Sequence, residues 1–269
     1  MEEVFYGFEY DGYSLRQYAD LLKFFGKLGF KLSPTEKMEL QAAIDSPWHR
    51  TFYLETEGLV NSSKYSAAFK LARYKYDNYF TVREYDFTLH MDNEKVSRTF
   101  YIDYKDCWHA DNVVDPITKY EAYNLLCGRA VFLDDMGKWI QLDFTQSDEA
   151  GNFRLRYDSE DDRFRLEEAI SRLPIKGLDD VESKGRLLES LRSGSLQSVI
   201  YTINGVEERK YIEVSPHFKI LIIYDENMRR ELHISRAAQD HLREDIQKNL
   251  LNNEHGLPKK GRQNGKQSI

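Results

Sequence analysis

One stretch constrains this chain more than any other, Asp115 to Phe144, which reads DPITKYEAYNLLCGRAVFLDDMGKWIQLDF. Asp115 is placed to cap a helix with Pro116 in its first turn. The apolar positions Ile117, Tyr120, Leu125 and Leu126 recur at helical spacing, and Gly128 follows as a stop. Ala130–Leu133 and Trp139–Phe144 then read as two strands on either side of Asp134-Asp135-Met136-Gly137, a hairpin turn. The unit is helix, glycine, hairpin, and looser versions precede and follow it. The expected fold class is α+β, built of repeated helix-plus-antiparallel-sheet units in two lobes.

Upstream, Ser14-Leu15-Arg16-Gln17 and Ser33-Pro34-Thr35-Glu36 both have capping-box spacing, and each predicts a helix start. From Thr51 to Asp103 apolar and polar residues alternate in four runs separated by turn residues, the pattern of an antiparallel meander. The alternation slips near Glu84, where a bulge is expected. Downstream, Phe153, Leu155 and Tyr157 mark a strand. Helices follow from Asp161 or Asp162 and from Asp179-Asp180, and Asn204-Gly205 is the strongest hairpin signal in the chain. Residues 229–251 carry a narrow apolar stripe on a charged helix. From Asn252 the sequence is rich in Asn, Gly and Lys, and a disordered basic tail is expected. The expected domains are thus 1–112, helices plus meander; 113–228, two helix-glycine-hairpin units; 229–251, the charged helix; and 252–269, the tail.

A formal net charge of −7 makes the body a poor general polyanion binder, because nucleic acid requires Lys and Arg to displace counterions. Two cysteines in 269 residues are too few for a disulfide framework, and the first residues lack the layout of a signal peptide. No apolar run approaches the roughly 20 residues of a bilayer span. Cytoplasm is the expected location.

The segments YFTVREYDFTLH, RTFYIDY, YEAYNLLCGRAVFLD, WIQLDFTQSDEAGNFRLR, RLPIKGL, GRLLESLRSGSLQSVIY and KYIEVSPHFKILIIYDENMRR follow one another from Tyr79 to Arg230. In order and spacing they resemble a domain-of-unknown-function family of Bacteroidetes-type bacteria. That family is found on conjugative and mobilisable elements and is sometimes linked to type IA topoisomerase-like proteins. EAYNLL-x-GRAV, W-x-QLDF and YIE-x-x-P-x-FK carry the resemblance. It implies a setting and a fold unit, with no catalytic residue, cofactor or ligand attached. This chain departs from the family pattern in its short Leu133–Trp139 connection and in the charged helix after Arg230.

Four constellations have chemical potential. Cys107, His109 and Asp111 are metal-capable side chains two apart, but a structural zinc site takes four ligands, and an exposed polar loop is the plainer reading. Asp134, Asp135, Asp143 and Asp148 surround the central hairpin as nuclease carboxylates would, although aspartate is common at turns because it bonds its own backbone. Tyr74, Tyr76, Tyr79 and Phe80, interleaved with Arg73, Lys75 and Arg83, form a candidate stacking platform for single-stranded nucleic acid. Aromatics on a meander otherwise serve as core. Lys259, Lys260, Arg262 and Lys266 in the tail are the clearest nucleic-acid feature, with a solubilising disordered end as the equally plain reading.

The expected function is therefore a non-enzymatic accessory protein of a mobile element, acting in DNA transfer or maintenance. It would work through an unidentified protein partner, such as DNA-processing machinery, with weak DNA contact through the tail. No cofactor, metal or membrane is called for. The alternatives are a pure protein-interaction module that modulates host or rival-element factors, and a metal-dependent nuclease.

Overall fold

The computed structural model describes residues 7–46, 48–73, 79–92, 94–102, 116–149, 151–160 and 164–231. The chain divides into two compact units, Met1–Arg230 and Glu231–Ile269, and all but the last described residue belong to the first. That unit is α+β. Its sheets are antiparallel, and within each sheet every strand is hydrogen-bonded to its neighbour in sequence.

Helices α1 (Gly7–Lys27) and α2 (Pro34–Asp45) precede a four-stranded meander, β1 (Thr51–Val60), β2 (Ser63–Arg73), β3 (Phe80–His90) and β4 (Lys95–Tyr101). Helix α3 (Lys119–Leu126) leads into the three-stranded sheet β5 (Val131–Leu133), β6 (Lys138–Ser147) and β7 (Phe153–Ser159). Helices α4 (Leu166–Ser171) and α5 (Val181–Arg192) precede β8 (Gln197–Ile203), β9 (Val206–Ser215), β10 (Ile220–Tyr224) and a two-residue β11 (Arg230–Glu231). Helix followed by meander therefore occurs three times, the repetition anticipated from the central unit.

Local sequence explains most of the boundaries. Ser33 accepts from the Glu36 amide while Glu36 bonds back to the Ser33 amide, and Pro34 opens α2, as the capping box predicts. Asp180 caps α5 through the Ser183 amide. Asn204 and Gly205 both have positive φ, which gives the hairpin turn expected there. The register of β2 against β3 shifts at Lys70, passing from Glu84 to Val82 and leaving Arg83 as the extra residue of the expected bulge.

Four boundaries differ from expectation. Helix α4, expected to start at Asp161 or Asp162, begins at Leu166, with Arg165 still extended before it. Ser14 lies inside α1, where its hydroxyl donates to Asp45 and accepts from Gln41; it holds α1 to α2 and caps nothing. The cap of α3 is Thr118, in a capping box with Glu121, so the helix begins three residues after Pro116. Of the helix expected over 229–251, Arg229 lies in the turn closed on Asp225, and Arg230 and Glu231 form a strand beside β10; residues 232–251 lie outside the described residues, as do the tail and the expected boundary at 112.

Two apolar cores result. The first lies between the inner face of β1–β4 and helices α1, α2 and α3, and is rich in rings, including Phe25, Phe30, Tyr65, Phe69, Tyr85 and Phe87. The Tyr85 hydroxyl is satisfied by the Ile117 carbonyl at 2.6 Å. The second gathers Phe164, Leu166, Ile170 and Leu191 of the α4–α5 region against Val199, Tyr201, Ile212, Val214 and Ile223 of β8–β10.

The β5–β6 hairpin stands between these cores and belongs to both. Successive side chains on a strand point to opposite faces, so Val131, Leu133, Ile140 and Leu142 enter the first core, whereas Phe132 and the fully buried Trp139 face the second. The polar residues of the central motif complete the join. Asn124 donates to the Ser193 carbonyl at 2.7 Å and accepts from Arg129 at 2.6 Å, while Arg129 Nε reaches the Gly194 carbonyl at 2.9 Å.

Gly194 is pressed into this join. Its φ is +81°, and a Cβ there would lie 2.7 Å from the Ala130 carbonyl oxygen. Gly194→Ala is expected to lower the unfolding free energy by roughly 2–3 kcal/mol, since left-handed geometry alone costs an L-residue about 1–2 kcal/mol and the displaced carbonyl adds to it. Gly177 has φ +85° with open space where a Cβ would stand. Gly177→Ala should cost only about 1 kcal/mol. Urea denaturation of the two variants measures the difference, and equal losses would refute the steric contribution.

Candidate functional site

Four strands of the first sheet carry α1–α3 on one face only. On the other face no described element packs, and the hydrogen-bonded register sets its side chains in rows. Tyr53, Lys70, Glu84 and Tyr101 form one row across β1 to β4. Glu55, Ala68, Asp86 and Thr99 form the next, then Glu57, Ser66, Thr88 and Ser97, then Leu59, Lys64, His90 and Lys95. The centre is small and hydroxylated, and large apolar groups stand at the rim: Tyr53 is 61% exposed, Leu59 64% and Tyr101 68%.

The charges on this face are ordered. Lys70 Nζ lies 2.9 Å from Glu84 Oε1, and that carboxylate raises the lysine pKa above its ordinary value. Thr99 donates to Asp86 Oδ1 at 2.5 Å, and His90 Nε2 lies 3.0 Å from the Ser66 hydroxyl. A shallow cavity of about 340 Å³ opens beside Glu55, Glu57, Ser66, Ala68, Asp86 and Thr88, with Thr56, Ala67 and, from α2, Glu36 completing its lining. Acids occupy the middle rows, and cations the row of Lys64 and Lys95. A surface with small central residues and aromatic edges is suited to packing against another protein surface.

The neighbouring edge is closed. Asn152, at the turn between β6 and β7, accepts from the Thr99 amide through Oδ1 at 2.8 Å, and Arg98 donates to the Phe153 carbonyl. Strand β4 therefore meets the second sheet along its outer side, which leaves the open face as the broad exposed part of the first sheet.

The residues singled out by sequence fall elsewhere. Phe80 is 1% exposed, with the Arg73 guanidinium 4.2 Å from its ring centre, so it belongs to the core and offers no face to a base. Arg73 itself is taken up by the carbonyls of Ala43, Ile44, Ser46 and His49, where it satisfies and charge-balances the end of α2. Tyr79 is half-buried; its hydroxyl donates to Asp20 Oδ2 at 2.7 Å and its ring meets Tyr13 edge-on. Tyr74 and Tyr76 lie outside the described residues, as do Cys107, His109, Asp111 and the tail cations Lys259, Lys260, Arg262 and Lys266.

The four aspartates do not converge. Asp134 and Asp135 sit on a 3-10 turn, where Asp134 lies 3.6 Å from Arg192. Asp143 accepts from the Thr145 hydroxyl and amide, bonds that hold its carboxyl below the usual range. Asp148 accepts from the Asn152 amide at 2.8 Å. Among the described residues no group of three or more His, Cys, Asp or Glu is arranged to hold a metal ion. None of the described helices is long and apolar enough to cross a membrane.

The motif polar residues likewise serve the fold. Gln141 of W-x-QLDF donates to the Gly128 carbonyl at 2.6 Å and accepts from Arg156. Arg156 lies 3.5 Å from Asp158, which in turn lies 3.5 Å from His217. Glu213 of YIE-x-x-P-x-FK accepts from the Tyr224 hydroxyl at 2.6 Å. The open face, by contrast, was missed. Its signal was present: Tyr53 and Leu59 share the parity of Glu55 and Glu57, which marks large apolar groups on a solvent face.

Comparison with known proteins found no matching family model, no matching curated protein and no matching solved structure.

Burial, followed by the bond to Asp20, pushes the Tyr79 hydroxyl above the ordinary tyrosine range. Tyr79→Phe should cost about 1 kcal/mol at neutral pH through loss of that bond. A raised folded-state pKa means that the contribution is present in full below the unfolded value, about pH 10, and is lost above it as the unfolded tyrosine ionises. The difference between wild type and variant, followed by urea denaturation, should narrow as pH rises past that point. A constant difference would show that the hydroxyl bond is not its source.

Proposed function

We propose that this protein is a non-enzymatic accessory protein of a mobile genetic element, acting in DNA transfer or maintenance in the cytoplasm. It works by protein binding through the open face of the first sheet and by weak DNA contact through Lys259, Lys260, Arg262 and Lys266. The observation that carries the reading is that face, with Tyr53, Leu59 and Tyr101 exposed around a small-residue centre. The setting is supported by the resemblance of the motifs between Tyr79 and Arg230, and the confinement of DNA contact to the tail by the net charge of −7.

The second reading, a pure protein-interaction module acting on host or rival-element factors, is favoured by the same acidic surface and differs only in the tail. Fluorescence anisotropy with duplex DNA separates the two. Four phosphate contacts give a log–log salt slope of about −3.6, and neutralising all four tail cations to Gln in the full chain should abolish binding. Binding unchanged by those substitutions would move the contact to the body, and no binding at low salt would leave the pure interaction module. For the protein arm, tagged chain recovered from cells carrying such an element should bring down a stoichiometric partner that Tyr53→Ser with Tyr101→Ser removes. Undiminished recovery would move the contact off this face.

A further inference from the structure

The row Tyr53, Lys70, Glu84, Tyr101 reads the same from either edge of the sheet if lysine and glutamate are exchanged. We infer that the open face of the first sheet binds a second copy of this chain, sheet on sheet, about a two-fold axis parallel to the strands. The inference rests on the reading of that face as a protein-binding surface and names its occupant.

Such an axis lays β1 of one copy over β4 of the other, and β2 over β3. Tyr53 then meets Tyr101 of the second copy, and Lys70 meets Glu84 of the second copy, twice in the dimer. The Lys70–Glu84 pairs already present in each chain join into a four-charge network. An isologous contact requires this self-complementarity, because each residue must meet its counterpart's partner. In the row of Glu57, Ser66, Thr88 and Ser97, the hydroxyls of Ser66 and Thr88 face one another, small enough for two sheets to approach to about 10 Å. Leu59 comes over Lys95 of the second copy, which brings that cation beside Glu57.

The extent of the face is sufficient. Four strands about 4.8 Å apart and four rows about 6.8 Å apart present roughly 500 Å² per copy, so a dimer buries roughly 1,000 Å², the lower bound for a specific interface. The Arg98 and Asn152 contacts beside β4 leave the rows unobstructed, since they lie at the edge. An association of this size is reversible and concentration-dependent.

Sedimentation velocity of the full chain over two decades of concentration tests the inference. Wild type should pass from monomer to dimer. Lys70→Glu and Glu84→Lys, each placing like charges across the axis, should raise the dimer dissociation constant at least about tenfold. An equimolar mixture of the two variants should recover the dimer, because every acid then faces a lysine. Circular dichroism checks that the variants are folded; if either is not, Tyr101→Ser, at an exposed rim position, should weaken the dimer by a comparable factor. Wild type monomeric at every concentration, or variants that fail to recover on mixing, would overturn the inference. A monomeric chain that still brings down a partner sensitive to Tyr53 and Tyr101 would leave the proposed function standing with a different occupant.

Discussion

The structure depends on the burial of both faces of the β5–β6 hairpin. A two-stranded hairpin has little stability alone, and one that is apolar on both sides requires a cover on each. Helix α3 and the first sheet cover Val131, Ile140 and Leu142, while the α4–α5 region and the third sheet cover Phe132 and Trp139. Full burial of each such side chain contributes on the order of 1.5–3 kcal/mol, so the hairpin acts as a shared wall whose two sides reinforce one another. The bonds of Asn124 and Arg129 to the Ser193 and Gly194 carbonyls then fix how one helix-glycine corner meets the next.

This arrangement separates the residues that hold the molecule together from those that face outward. The polar positions in the recognisable motifs, Asn124, Arg129, Gln141 and Glu213, all have partners within the fold. Arg73, a cation beside a ring in the sequence, completes the end of α2. The exposed rows of the first sheet stand apart from these, since the fold does not require their side chains.

Much of the fold was legible because its signals are local. The Ser33 capping box, the Asp180 cap, the Asn204-Gly205 turn and the bulge at Arg83 depend on a few neighbouring residues, and all occur where the residues place them. Ser14 misled because a capping-box spacing inside a longer helix looks the same as one at its start; its actual partner, Asp45, is 31 residues away. Phe80 misled for a similar reason. Alternation tells which residues share a face, but which face the helices cover is decided by long-range packing that no window contains. The parity of Tyr53 and Leu59 with two glutamates was the one readable trace of the open face.

The shared hairpin also bears on how such a chain can be inherited. Three successive helix-and-meander segments suggest a modular history, yet no cut between them yields two pieces that are each complete. A break before the hairpin strips Val131 and Ile140 from the first core, and a break after it leaves Phe132 and Trp139 without the second. Recombination within the gene would therefore produce fragments with bare apolar surfaces, which cellular proteases remove. Whatever its ancestry, the three segments now stand or fall as one body.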